Sequence, residues 1–307
     1  MNEDWQKGII IPDSAILSRR STGRHGDPGR AGRHGKEGTR CADNPLYSRE
    51  NEGRMLSNSL RLVSANLGNG AAESDAFADL MEHLQPDVAA VQEITPLQAR
   101  ALAGVLPHGD LAPSWHFAGM GIALRQPGRV RPVSLGYRNA WIAEVASDEG
   151  RSIEVINVHI RAPHLRPFSR TIHLRRQQLR AIEAYLADAS DDPRAVVGDL
   201  NSTPRWPLYR RLARRLTDAA VVGARRSGGR PERTWTPSPG IPRLFRIDHI
   251  FVGGLEVDDF RVVPIKGSDH CVVVADVRIG SQAELRPHGW QRQPESPLVP
   301  DSAGMTE

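Results

Sequence analysis

The sequence predicts an α/β (α+β) fold in which two packed, largely antiparallel β-sheets carry helices on their outer faces. Between residues 58 and 280, short apolar runs of strand length are mixed with amphipathic segments of helical period. Several predicted strands follow one another without an intervening helix, which argues against a purely parallel, doubly wound sheet. The flanking regions, 1–57 and 281–307, show neither pattern. We therefore predict one folded domain over residues 58–280.

The first half of this domain alternates strands with helices. Phe77, Leu80, Met81 and Leu84 lie on one face of a helix that Ser74 is expected to cap. Thr95 and Pro96 have the cap and first-turn proline of a second helix. The predicted elements are a strand at 60–65, a helix from Ser74 to about residue 84, a strand at 88–91, a helix from Pro96 and a strand at 121–124.

The second half contains a predicted hairpin and a long helix rich in arginine. The hairpin joins residues 141–145 to 153–158 through Asp148, Glu149 and Gly150. Leu179, Ile182 and Leu186 are expected to face inward from the long helix. The remaining elements are that helix at 169–187, a strand at 195–197, a helix at 207–216, and strands at 246–252 and 272–277.

The terminal segments are expected to be disordered. Residues 19–40 are rich in Gly, Arg and His and nearly free of apolar side chains, so they bury too little surface to offset the entropy of ordering. Residues 1–57 can be a basic arm that contacts nucleic acid, a disordered tail, or a region upstream of a true start at Met55. We favour a tail for them, and also for residues 281–307.

Composition excludes some classes of protein and leaves others open. The net charge of +4, carried by 40 basic and 36 acidic residues, is compatible with a polyanionic partner but does not require one. No apolar run is long enough for a transmembrane helix, and the N-terminus does not resemble a secretory signal. With only Cys41 and Cys271, no structural disulfide is expected. We expect a cytoplasmic protein, and a monomer.

Two short segments place acidic groups beside amide or imidazole groups near the ends of apolar runs. They are Val196–Asn201, which contains Asp199 and Asn201, and Gly267–His270, which contains Asp269 and His270. On an extended chain, the i, i+2 spacing puts Asp199 and Asn201 on one face. Such groups at one sheet edge can bind a divalent metal, activate a water and hold an anion, which are the requirements for hydrolysis of a phosphate ester.

Further polar residues lie at or near strand ends, and each has a structural alternative. Asn66 can be a turn residue, Glu93 can cap the following helix, and His159 can be a satisfied core histidine. The Asp199 segment can be an Asx turn. Asp248 lies within an apolar strand, where an ionised carboxylate needs a partner, and His270 is the expected one. We expect His249 to face away from Asp248 and to be structural.

Taken in order, these segments resemble the endonuclease/exonuclease/phosphatase superfamily, which includes DNase I-like nucleases, inositol-polyphosphate phosphatases and neutral sphingomyelinases. The matching segments end at Asn66, Glu93 and His159 and continue with G-D-L-N-S-T-P from Gly198, R-I-D-H-I from Arg246 and G-S-D-H from Gly267. The resemblance covers about residues 64–270. It implies a four-layer sandwich and a divalent-cation-dependent phosphoester hydrolase.

The resemblance also implies a role for each matching residue. Glu93 would be the main metal carboxylate, with Asn66 and Asp269 nearby, for Mg²⁺ or for Mn²⁺ as a substitute. Asp199 would activate water, Asn201 would orient the phosphate or the nucleophile, and His270, paired with Asp248, would stabilise transition-state charge. His159 would match the second histidine of the DNase I-like branch.

The sequence does not decide the substrate. A nuclease or other phosphodiesterase is favoured by the basic balance and by arginines near the motifs, from which we select Arg161 and Arg246 as substrate-binding residues. The alternatives are a phosphatase, or a phosphodiesterase of phospholipid headgroups like the sphingomyelinases. A non-catalytic binding module would not need the full set of polar residues.

Overall fold

Residues 59–146, 151–188, 192–238 and 241–280 are described by the computed structural model of the chain. The predicted tails at 1–57 and 281–307 lie outside these residues. Within them, twelve strands form two six-stranded sheets, which we call sheet A and sheet B. Sheet A has the order β11-β12-β1-β2-β4-β3 and contains β1 (Leu60–Asn66), β2 (Val88–Gln92), β3 (His108–Ala112), β4 (Met120–Leu124), β11 (Leu255–Pro264) and β12 (Cys271–Ile279).

Sheet B has the order β5-β6-β7-β8-β10-β9. Its strands are β5 (Arg129–Ser134), β6 (Asn139–Ala146), β7 (Ser152–His159), β8 (Arg194–Asp199), β9 (Thr217–Asp218) and β10 (Asp248–Gly253). Each sheet contains one parallel pair, β1 with β2 and β7 with β8, and its other neighbours are antiparallel. This mixed, largely antiparallel arrangement confirms the predicted fold class.

Helices cover the outer face of each sheet, and three layers of core side chains lie between the four layers of backbone. The helices are α1 (Ser74–Leu84), α2 (Pro96–Val105), α3 (Phe168–Asp188), α4 (Pro207–Leu212) and α5 (Ala219–Arg226). Ile122, Val197 and Val273 belong to the core between the sheets. Phe77 and Leu102 belong to the core under α1 and α2, and the core under α3 and α4 includes Leu179, Ile182 and Leu208. Burial of these side chains, at roughly 25 cal/mol per Å², is the main force that holds the layers together.

Several elements differ from the sequence-based expectations. The strands β3, β5, β9 and β11 and the helix α5 were not predicted. The strands β3 and β5 are edge strands without a fully buried residue, and β11 carries charged residues and a bulge. The helix predicted at 207–216 ends at Leu212, and the strand predicted from Arg246 begins at Asp248. Glu73, not Ser74, occupies the cap position of α1, without a side-chain cap bond. The capping box of α2, made by Thr95 and Gln98, is present.

The topology gathers the polar strand ends at one edge of the sandwich. The carboxyl ends of the parallel strands β1 and β2 lie beside the amino end of the antiparallel β12. In the same way, the carboxyl ends of β7 and β8 lie beside the amino end of β10. No helix of the described residues is both long enough and apolar enough to cross a membrane.

Candidate active site

Asp199 lies at the centre of a polar cluster that strand register assembles in sheet B. It is directly opposite His159 in β7 on one side and directly opposite Asp248 in β10 on the other. The neighbouring Gly198 has φ +136°, and a Cβ there would lie 1.9 Å from the backbone oxygen of Val158. The glycine of the G-D-L-N segment is therefore required for β7 and β8 to approach so closely.

Asp248 and His270 form a buried ion pair that joins sheet B to the start of β12. The His270 Nδ1 lies 3.0 Å from both carboxylate oxygens of Asp248, and the Thr234 hydroxyl donates to Oδ2 at 2.6 Å. Burial by itself lowers the pKa of His270, but the charge and hydrogen bond of Asp248 outweigh it and raise that pKa to about 10. His270 is thus held as an imidazolium, as the pairing predicted from sequence requires.

Asp199 and Asn201 are neighbours because of a turn, not because of strand alternation. Asn201 has φ 45°, and its backbone N–H donates to Asp199 Oδ1 at 2.7 Å, which is an Asx turn. The Asn201 side-chain amide donates to Asp199 Oδ2 at 2.9 Å, and Asn66 donates to the same oxygen at 3.1 Å. Burial raises the pKa of Asp199 to about 7, against the opposing effect of the His270 charge. The segment is therefore an Asx turn, which was the structural alternative for it, and the side chains of Asp199 and Asn201 lie close together, as predicted.

His159 bridges the carboxylates that come from the two sheets. Its Nε2 lies 3.6 Å from Glu93 Oε1 and 3.6 Å from Asp199 Oδ2. Its Nδ1 lies 2.6 Å from Arg138 Nη1, which also donates to the backbone oxygen of Phe117 at 2.7 Å. Burial and the Arg138 charge lower the pKa of His159 well below its usual value. Because a guanidinium only donates, Nδ1 is the acceptor, and the neutral ring carries its proton on Nε2.

Glu93 directly follows β2, with φ 55°, and its side chain is 13% exposed. Burial raises the pKa of Glu93 to about 7, although the His270 charge and a hydrogen bond from Asn66 act in the opposite direction. In this environment, a cation bound beside the Glu93 carboxyl group would stabilise its ionised form.

Asp269 reaches the same edge from the loop before β12. Its Oδ2 accepts a hydrogen bond from Trp235 Nε1 at 2.9 Å. The adjacent Ser268 hydroxyl donates to the backbone oxygen of Asn66 at 2.9 Å and accepts from the His270 N–H at 3.1 Å. Ser268 therefore fixes the loop of Asp269 and His270 to the end of β1.

The two predicted substrate-binding arginines do not point into the cluster. Arg246 is buried, and its Nη1 lies 2.6 Å from Asp218 Oδ2 and 3.1 Å from His249 Nδ1. Arg161 is also buried, and it donates to the hydroxyls of Tyr137 and Thr171. Both guanidinium groups are held by partners within the protein.

His249 faces away from Asp248, as expected, and is hydrogen-bonded at Nε2 to the backbone oxygen of Ser202 at 2.9 Å. Burial, together with the charge of Arg246, lowers the pKa of His249 to about 4.

Three residues that contact the cluster were missed by sequence reasoning. Thr234 and Trp235 come from the loop between α5 and β10, and Arg138 comes from the turn between β5 and β6. A tryptophan between two threonines, in a loop rich in Gly, Pro and Arg, is a weak signal for Trp235. Nothing in the local sequence of Arg138 indicates its role, because its partner His159 lies in the next strand but one.

The cluster contains two groups with ligands suited to a metal ion. Ligand atoms of Asp199, Asp248 and His270 lie within 4.8 Å of one another. However, Asp248 and His270 already satisfy each other, and Thr234 occupies a further acceptor site of Asp248. Glu93, Asn66 and Asp269 offer only oxygen ligands, which is the ligand type that Mg²⁺ and Mn²⁺ take.

Residues 63–270 match the family model described as the endonuclease/exonuclease/phosphatase family. The chain belongs to this family. Family membership supports phosphoester hydrolysis as the class of reaction. The comparison with curated protein sequences finds no match.

Solved structures confirm the fold of this family member. One is the endonuclease/exonuclease/phosphatase family protein of Bacteroides thetaiotaomicron, at 16% identity and TM-score 0.58 over 71% of this chain and 97% of that one. Danio rerio TDP2 complexed with single strand DNA product matches at 17% identity and TM-score 0.57, over 72% and 100% of the two chains. The human Nocturnin catalytic domain with bound sulfate anion matches at 19% and 0.54, over 73% and 96%.

Proposed function

We propose that this protein is a divalent-metal-dependent phosphodiesterase of the nuclease type. The observation that carries the proposal is the arrangement around Asp199. Its carboxylate lies beside His159 and beside the Asp248–His270 pair, and it is bound by the amides of Asn66 and Asn201. A buried carboxylate with pKa near 7, next to an imidazolium and three neutral donors, can accept a proton from water and hold an anion close by.

Mg²⁺, or Mn²⁺ in its place, is the proposed cofactor, held by Glu93 with Asn66 and Asp269 directly or through water. The all-oxygen donor set and the raised pKa of Glu93 fit a hard divalent cation. When bound, the ion would polarise a phosphoryl oxygen and stabilise the leaving oxygen. The positions of Trp235 and Ser268 would keep Asp269 on the metal side of the cluster.

The side chains of the chain would divide the remaining work. Asp199 would take the proton of the attacking water, and Asn201 would fix the orientation of that carboxylate and of the phosphate. His270, kept charged by Asp248, would bind a non-bridging oxygen and stabilise the charge that develops on it. The Nε2–H of His159 would donate to the same phosphate from the side of Glu93.

Two relatives support an anionic substrate of this kind. Danio rerio TDP2 was solved with a single-strand DNA product, and the Nocturnin catalytic domain was solved with a sulfate anion. We therefore favour nucleic acid over inositol phosphates and phospholipid headgroups.

The test compares wild-type protein, Asp199→Asn and the exposed control Asp79→Asn on single-stranded DNA, duplex DNA, RNA, sphingomyelin and inositol phosphates. Each is assayed with Mg²⁺ and with EDTA. We expect cleavage of a nucleic acid that EDTA abolishes, that Asp199→Asn lowers at least ~10²-fold and that Asp79→Asn leaves unchanged. Full activity of Asp199→Asn contradicts the assigned role, and cleavage of a lipid alone contradicts the nuclease assignment.

We also infer a monomer in a reducing cytoplasm. Cys271 is a free, buried thiol, consistent with such a compartment. Light scattering in solution and fractionation of the native cells test these two statements, and the domain limits 58–280 are tested by expressing that segment alone.

A further inference from the structure

Two segments that flank the candidate active site contain many arginines and no acidic residue. Residues 155–182 contain six arginines, and residues 200–217 contain five, without an Asp or Glu in either. The whole chain has a net charge of only +4. Eleven arginines and no acidic residue therefore lie on the first part of α3, on the segment before it and on the segment that follows Asn201.

Hydrogen bonds and a ring contact join these two segments at the edge of the site. Arg175 of α3 donates to the backbone oxygen of Asn201 at 3.1 Å and to the Ser202 hydroxyl at 2.6 Å. Its guanidinium also lies 5.3 Å from the ring centroid of Trp206. The basic segments therefore form one surface that begins at a residue of the site.

Exposed apolar side chains lie on the same surface. Phe168, Ile172 and Arg175 have the spacing i, i+4, i+7 and share one stripe of α3, which leads to Trp206. The exposed fractions are 53% for Phe168, 51% for Ile172 and 38% for Trp206. We call these four residues the α3 strip. Arg166, Arg176 and Arg205, all exposed, lie on the two segments that carry it.

We propose that the α3 strip binds an unpaired stretch of nucleic acid next to the phosphate held in the site. Bases stack on Trp206 and Phe168, and the backbone phosphates contact Arg166, Arg176 and Arg205. This inference rests on the proposed function. It adds where the part of the substrate next to the reacting phosphate would bind. Aromatic faces interleaved with arginines, continuous with a phosphate site, are what a single strand requires and what a small phosphomonoester does not use.

An anionic membrane is the competing partner for a surface of apolar and basic residues. Insertion into a membrane needs apolar side chains that project past the charged groups. Here Trp206 is stacked under Arg175, and Phe168 is contacted by Arg166 at 5.7 Å from its ring centroid. One face of each ring is therefore occupied by a cation, which favours stacking of a base on the other face.

The test uses Trp206→Ala and the double variant Arg176→Gln/Arg205→Gln. The charge-matched control is Arg100→Gln/Arg129→Gln, which removes two exposed arginines from α2 and β5. Binding of a fluorescein-labelled oligothymidylate is measured by anisotropy over a range of salt concentrations. Turnover of bis(p-nitrophenyl) phosphate with Mg²⁺ is measured in parallel, because this diester is too small to reach the strip.

We expect Trp206→Ala to weaken oligothymidylate binding by roughly 5- to 150-fold, the range for loss of one stacked base. The arginine double variant should lower the slope of log affinity against log salt by about 1.4, since each phosphate contact on a single strand contributes about 0.7. Turnover of the small diester should not change in either variant, which also shows that they are folded.

The proposal is overturned if both strip variants bind the oligonucleotide as the control does. It is also overturned if Trp206→Ala abolishes binding to phosphatidylserine vesicles while oligothymidylate binding is unchanged, which would assign the strip to a membrane. Failure of the proposed function would give a different result. Wild-type protein would then turn over no diester, while the anisotropy measurement would still report whether the α3 strip binds the oligonucleotide.

Discussion

Arg246 was expected from the sequence to bind substrate, whereas in the structure it forms a buried ion pair with Asp218. If Arg246 bound substrate, its loss would reduce activity and leave the fold intact. In the structure, the Arg246 and Asp218 side chains are 6% and 4% exposed, and their charged atoms are 2.6 Å apart. The Tyr209 hydroxyl donates to the same carboxylate at 2.5 Å, and Asp218 Oδ1 caps α5 through the Ala220 N–H at 2.9 Å.

Asp218→Asn is the perturbation that breaks the ion pair. Asparagine keeps the size of the side chain and, through its single carbonyl oxygen, the cap of α5. Its amide nitrogen replaces the oxygen that accepts from Tyr209 and Arg246, so the substitution removes the negative charge together with that acceptor and leaves the Arg246 guanidinium buried without its counter-charge. Breaking a buried pair in this way costs about 3–5 kcal/mol in the free energy of unfolding. For a domain of this size, a loss of about 3 kcal/mol lowers Tm by roughly 6–12 °C.

Urea unfolding at neutral pH, followed by circular dichroism, measures this loss. The variant Arg246→Met/Asp218→Asn removes both charges and should recover most of the stability lost by Asp218→Asn. Diester turnover below the melting temperature should be retained in all three proteins. A loss under about 1 kcal/mol for Asp218→Asn, or abolished turnover at wild-type stability for the double variant, refutes this reasoning.

Three further outcomes follow from the site and its surroundings. Because the pKa of His249 is lowered to about 4, the unfolded chain binds a proton that the folded protein excludes, so stability falls as pH drops from about 6.5 to 4. His249→Gln should flatten this part of the stability–pH curve, and an unchanged curve would contradict it. Glu93→Gln should weaken Mn²⁺ binding at least ~10-fold, as measured by electron paramagnetic resonance. A larger loss in Asp248→Asn would instead assign the metal to the Asp199–Asp248–His270 group. Arg138→Met should release the Nε2–H tautomer of His159, seen in long-range ¹H–¹⁵N spectra, and lower turnover ~10-fold or more, while Arg138→Lys should keep both.

Residues at strand ends were the predictable part of the site. Apolar runs of strand length show where Asn66, Glu93, His159 and Asp199 fall, and parallel pairing then gathers their side chains at one edge. An acid inside an apolar strand needs a partner, which is why the pairing of Asp248 with His270 could be foreseen.

Contacts supplied by loops and edge strands were not predictable. Arg138 and Trp235 act through partners distant in sequence, and neither lies in a periodic pattern. The substrate-binding role predicted for Arg246 rested on its proximity to Asp248 in the chain, which does not reveal that Arg246 is paired with a buried acid, Asp218. The edge strands β3 and β5 were missed because solvent covers one side of them and the apolar alternation is weak.

The pairing of β1 with β12 has a consequence for the synthesis of the protein. The first strand of the domain gains one of its two neighbours only from the last, and Ser268 ties their ends together across 202 positions of sequence. A nascent chain whose residues from His270 onward have not yet emerged lacks the partner of Asp248 and leaves an open edge on β1. The arrangement proposed for hydrolysis is therefore complete in the growing chain only after His270 and β12 have emerged from the ribosome.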